Sequence, residues 1–135
     1  MIIDAYSQDH VMRGSSAQVG YSLAMTARLL VEDIADLRVG GGLPAYVRTV
    51  VSALTPQRML LVEVFGLSLE QDPARTIARS VITAIFELAS AYNIVSLSDD
   101  VETLFHQRIL IIDPDGKPYV GLVGAAMGMV ESLRD

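Results

Sequence analysis

The segment with the fewest available shapes is Asp113-Pro-Asp-Gly-Lys-Pro118, set between the apolar runs Arg108-Ile-Leu-Ile-Ile112 and Tyr119-Val-Gly-Leu-Val123. Proline presets φ at the first central position of a turn, and Gly116 can take the positive φ that closes a longer hairpin. The two runs are therefore expected to pair as antiparallel strands, and the chain must contain a sheet. Arg58 to Leu69 reads as a further, central strand, because Met59-Leu-Leu-Val62 and Val64-Phe65 give a nearly continuous apolar run broken only by Glu63. An edge position or a bulge is the simplest account of that one acid.

Asp72-Pro73 signals a helix start, with an acidic cap for orphan N–H groups and proline at the first helical position. The helix that follows carries Ile77, Val81, Ile85 and Leu88, with Ala78, Ile82, Phe86 and Ala89 beside them, so it is expected to be buried on most sides. Ala17 to Arg38 satisfies two periods. Val19, Leu23, Ala27, Leu30, Ile34 and Leu37 form a helical stripe, whereas Val19 to Val31 also alternates as a half-buried strand. Its length and the break in alternation at Leu29-Leu30-Val31 favour the helix, capped by Ser15 or Ser16 and ended by Gly40 to Gly42.

Shorter elements complete the reading. A brief helix is expected over Ala45 to Leu54, an edge strand over Ile94 to Leu97, and a capping box of Asp99 and Glu102 opening a short helix through His106. Gly124 to Arg134 reads as a small-faced C-terminal helix. The fold class that follows is α+β: a single compact domain over 1–135, with a mixed or antiparallel sheet and a C-terminal β-hairpin packed against long helices.

Composition then narrows the chemistry. A chain of 135 residues, 51% hydrophobic, can bury a core without staples. Zero cysteines exclude a disulfide scaffold, a thiolate nucleophile and a cysteine-ligated metal. Sixteen acids against ten bases give a net charge of −6, which argues against nucleic acid or an anionic membrane as partner. Mean hydropathy is +0.40, yet the longest uncharged runs, Gly14 to Ala27 and Pro118 to Val130, fall short of the ~20 residues a span needs. Without a basic region ahead of an apolar stretch at the N-terminus, the expected location is cytoplasmic.

Few residues are placed to do chemistry. Glu102 and His106 are four apart, so on a helix they would share a face and form a carboxylate/histidine pair, with Asp99 or Asp100 beside them; these are the catalytic candidates. Glu63 and Arg79 are the ligand-binding candidates, at the mouth of a pocket between the helix from Pro73 and the sheet. Asp9-His10 with Arg13 reads as a solvated irregular segment. Gly40-Gly41-Gly42 is followed by Leu43-Pro44 and lacks the lysine of a phosphate loop. No cofactor and no metal site is assigned.

The apolar residues exceed what one such fold should need to cover, with the C-terminal stretch of Met127, Met129 and Val130, or the first long segment Ala17 to Arg38, as the candidate contact. The expectation is a non-enzymatic regulatory, adaptor or structural protein acting as a homodimer or higher oligomer, with another protein as a further candidate partner. The alternative is a small cofactor-free or metal-assisted enzyme using Glu102 and His106.

Overall fold

A computed structural model describes residues 11–13, 22–96, 104–124 and 129–130. In chain order the elements are β1 (Val11–Arg13), α1 (Leu23–Val39), β2 (Arg48–Leu54), β3 (Met59–Phe65), α2 (Thr76–Ser90), β4 (Ile94–Ser96), β5 (His106–Ile112), β6 (Pro118–Gly124) and β7 (Met129–Val130). Five strands form a mixed sheet in the order β2-β3-β5-β6-β7, and β1 pairs with β4 separately. β3 and β5 run parallel, joined by the crossover that contains α2, while the other pairs are antiparallel. The fold is α+β, with the expected hairpin near its C-terminal end.

That hairpin forms as the turn chemistry requires. Asp113 Oδ1 accepts hydrogen bonds from the N–H groups of Asp115 at 2.9 Å and Lys117 at 3.0 Å, and Gly116 takes φ +82°. β5 and β6 then pair from Gln107 opposite Gly124 to Ile111 opposite Val120, with the register shifting at Ile112.

The double-period segment is helical from Leu23 onward; residues 17–21 lie outside the described residues. The cap is Ser22, whose Oγ accepts from the Met25 N–H at 3.0 Å, in place of the expected Ser15 or Ser16. Ala27, Leu30 and Ile34 are buried along the expected stripe. The expected helix over 45–54 is corrected to a strand: Thr49-Val50-Val51 is a β-branched run, and it pairs with β3 from Arg48 opposite Phe65 to Leu54 opposite Met59.

Asp72 does cap α2, but from farther away than the sequence implies. Its carboxylate accepts from the N–H groups of Ile77 at 3.3 Å and Ala78 at 3.0 Å. Pro73 is not the first helical residue, because a turn closed by Arg75 N–H to Asp72 O at 2.9 Å intervenes and Arg75 adopts a left-handed φ of 59°. Two further expectations are corrected. His106 begins strand β5 and does not end a helix, since its N–H is bonded to Arg58 O at 2.9 Å in the ladder. Met129–Val130 pairs as a strand on β6, so the expected C-terminal helix does not form at these two positions, and residues 125–128 and 131–134 lie outside the described residues. β4 matches the expected edge strand, while its partner β1 includes Arg13, in a segment that reads as irregular.

Both helices cover one face of the sheet. α1 packs on β2 and β3, α2 packs on β5 and β6, and the helices touch each other. Beneath them Leu60, Val62 and Val64 of β3, Ile109 and Ile111 of β5, and Val120 and Leu122 of β6 meet Leu30, Ile34, Ile82 and Ile85 in one core. The strict alternation of buried and half-buried residues along β3 is the local signature of this one-sided coverage. The Tyr92 hydroxyl, just past α2, donates to the Asp33 carboxylate of α1 and ties the helix pair together.

Where β3 leaves the sheet, Gly66 takes φ +104° and passes so close to the chain before β2 that a Cβ there would lie 2.4 Å from Tyr46 O. Where the chain enters β5, the buried Asn93 side chain brackets the Phe105 backbone: Nδ2 donates to Phe105 O at 2.9 Å and Oδ1 accepts from Phe105 N–H at 3.2 Å.

Candidate functional site

Glu102, Asp99, Asp100, Asp9, His10 and Met127 lie outside the described residues. His106 occupies the first position of β5, opposite Met59, so the helical spacing that would have paired it with Glu102 does not apply at its end. Glu63 and Arg79 do not share a site. Arg79 lies on α2 and lines a shallow cleft of about 470 Å³ with Thr76, Ser80 and Glu87. Its Nη1 donates to Ala74 O at 3.1 Å. Glu63 alternates with Leu60, Val62 and Val64 and therefore belongs to the opposite face of the sheet, while the space between α2 and the sheet is filled by the core. β3 is an interior strand paired evenly on both sides, so neither an edge position nor a bulge explains Glu63.

A cleft of about 370 Å³ opens at the carboxyl ends of β3 and β5, bordered by Arg48, Phe65, Ser68, Gln71, Ile112 and Asp113. Carboxyl ends of parallel strands are a common ligand position. Here, however, Ser68 Oγ accepts from the Gln71 N–H at 3.2 Å and Asp113 Oδ1 accepts from its own turn, so these oxygens serve the loops. Among the described residues, no group of three or more His, Asp or Glu side chains is placed to hold a metal ion.

Buried polar groups also occur inside the fold. Gln107 Nε2 donates to Ser90 Oγ at 3.2 Å, while its Oε1 has no partner among the described residues. The Tyr119 hydroxyl is fully buried and likewise unpartnered among the described residues. Its pKa is pushed up to about 12, chiefly by burial, with Asp72 adding to the rise and Arg75 opposing it. The phenol thus keeps its proton in the folded chain up to about pH 12, while the unfolded chain releases it near pH 10. The stability this confers is present below pH 10 and lost as pH rises from 10 through about 12. Tyr119→Phe removes an unsatisfied hydroxyl, so it should leave stability at pH 7 unchanged or raise it by about 1 kcal/mol. It should also abolish this alkaline loss. Urea denaturation of both chains at about pH 7, 10 and 11.5 checks it, and a loss of about 2 kcal/mol or more at neutral pH would show that the hydroxyl is bonded.

What remains is the sheet face opposite the two helices. Register places Val50, Glu63, Leu110, Gly121 and Val130 in one row across it, and Ser52, Leu61, Arg108 and Val123 in the next. Among the described residues no helix lies over these rows. Val50 is 49% exposed and Val123 45%, and Leu61, Glu63 and Phe65 are half-buried. Leu110 is shielded, at 8%, yet it does not join the core under the helices. Val130, a contact candidate from the sequence, has its register position on this face, whereas Met129 stands opposite Leu122 in a helix-side row. Arg108 escapes the sequence reading. Its signal is present in the alternation Arg108, Leu110, Ile112, which reads as a second sheet face once the parallel register is known.

Comparison with protein-family models, with curated proteins and with solved structures found no match. Among the described residues no helix is long and apolar enough to cross a membrane.

Proposed function

We propose that this chain is a non-enzymatic regulatory, adaptor or structural protein of the cytoplasm that acts as a homo-oligomer, most simply a homodimer. The observation that supports the reading is the sheet face that, among the described residues, no helix covers. A sheet needs apolar cover on each apolar side, and this one places Val50, Leu61, Phe65 and Val123 on a side that neither helix reaches. The way polar groups are used points in the same direction. Asp72, Asn93 and Asp113, all buried, hold backbone groups of their own chain, which is structural work.

Light scattering at micromolar concentration tests the proposal. The expected particle has at least twice the 14.6 kDa mass of the chain, with an interface burying more than ~1,000 Å². A particle that stays at the monomer mass throughout the micromolar range would remove the reading.

A further inference from the structure

Two charges stand within the face that neither helix covers, and their positions constrain how a second copy could sit on it. In the parallel register of β3 and β5, Leu61 is opposite Arg108 and Glu63 is opposite Leu110. These four positions form a quadrilateral with the leucines on one diagonal and the acid and base on the other. Diagonal neighbours in a sheet are about 7–8 Å apart. Arg108 is exposed and Glu63 half-exposed, and among the described residues neither side chain makes an ion pair within the chain. An unpaired acid on an apolar face is costly to cover with a purely apolar surface, because covering it removes water from the charge. A surface that brings a guanidinium to it covers it at far lower cost.

We infer that a second copy of this chain covers the β3–β5 region face to face, about a two-fold axis along the Leu61–Leu110 diagonal, so that Glu63 of each copy meets Arg108 of the other. The symmetry follows from the register. Rotation about a line in the plane of the contact reflects one face onto the other across that line. Both leucines lie on the line, Leu61 half-buried and Leu110 already shielded within its own chain, while the acid and the base lie on opposite sides of it and exchange places. Two reciprocal ion pairs then flank Leu61 of each copy, with Val50 and Val123 toward the margins. Stacked sheets lie about 10 Å apart, a distance that a glutamate and an arginine span together. Isologous contacts require this kind of self-complementarity, and an acid and a base on one face supply it about the line midway between them, which here runs close to the leucine diagonal.

This inference rests on the proposed self-association, and the experiment separates the two. Sedimentation equilibrium is measured for the unaltered chain, for Glu63→Arg, for Arg108→Glu, for an equimolar mixture of these two variants, and for the chain carrying both changes. Each single reversal sets like charges opposite each other at both pairs and should weaken self-association at least tenfold, with circular dichroism unchanged. In a mixed pair of the two variants, the arginine introduced on β3 of one chain faces the glutamate introduced on β5 of the other. Glu63 and Arg108, each retained in one of the two chains, still meet at the second pair. A heterodimer should therefore form with affinity within about tenfold of the original. The doubly reversed chain should dimerise on its own to a similar degree. A native chain that is monomeric removes both the function proposed and this geometry. A native dimer that tolerates both single reversals, or is not rescued by the mixture, leaves self-association standing and removes the face-to-face pairing.

Discussion

Replacing Gly66 with alanine is expected to cost about 4 kcal/mol of folding stability. Two effects add. A side chain held at φ +104° carries backbone strain of about 1–3 kcal/mol. The new Cβ would also lie 2.4 Å from Tyr46 O, and because the obstacle is backbone, the loop before β2 must move at a further cost of about 1–3 kcal/mol. Gly116 provides the internal control. It too has a positive φ, of 82°, but a Cβ there meets nothing within 4 Å, so Gly116→Ala should lose only about 1 kcal/mol. Urea midpoints for both variants check the difference. Equal losses would mean that the close approach at Tyr46 carries no weight.

The second large effect is expected at Asn93. Removing its side chain leaves the N–H and C=O of the buried Phe105 without their partner, at about 1–3 kcal/mol for each group, so Asn93→Ala should lose about 3 kcal/mol. Asn93→Leu fills the volume without supplying either hydrogen bond, and it should be no better than alanine. If leucine restores stability, the site is a packing position and the hydrogen-bond argument fails. Thermal unfolding of the three chains separates the outcomes.

Neither of these positions stands out in the sequence, and the reason is physical. Asn93 reads as a helix stop, which is a local property; its real partner is twelve residues away and is a backbone group with no sequence signature. Gly66 is one glycine among ten, and the chain it approaches lies in another segment. The legible features are those governed by local chemistry. The Asp113 to Pro118 turn specifies its hairpin through a side-chain bracket and one glycine, and the α2 stripe specifies a helix buried against a sheet. Residues 45–54 mislead for the opposite reason: valines spaced to suit a short helix also suit a strand, and pairing with β3 decides between them. The face that carries the proposed contact is half legible. Glu63 draws attention as an acid in an apolar run, but its neighbour Arg108 becomes visible only through a parallel register that no periodicity encodes.

That register also shapes how the fold can assemble. β2 and β3 are joined by a short turn at Thr55–Gln57, and β5 and β6 by the Asp113 turn, so each half of the sheet can close locally. The seam between the halves cannot. Met59 finds His106 across the whole α2 crossover, and closing a loop of that length costs roughly 3 kcal/mol in chain entropy before any contact offsets it. Contacts of such sequence separation slow folding. The chain is in effect two hairpins welded along one line, and α2 is both the tether that brings the two edges together and the lid that keeps the weld dry.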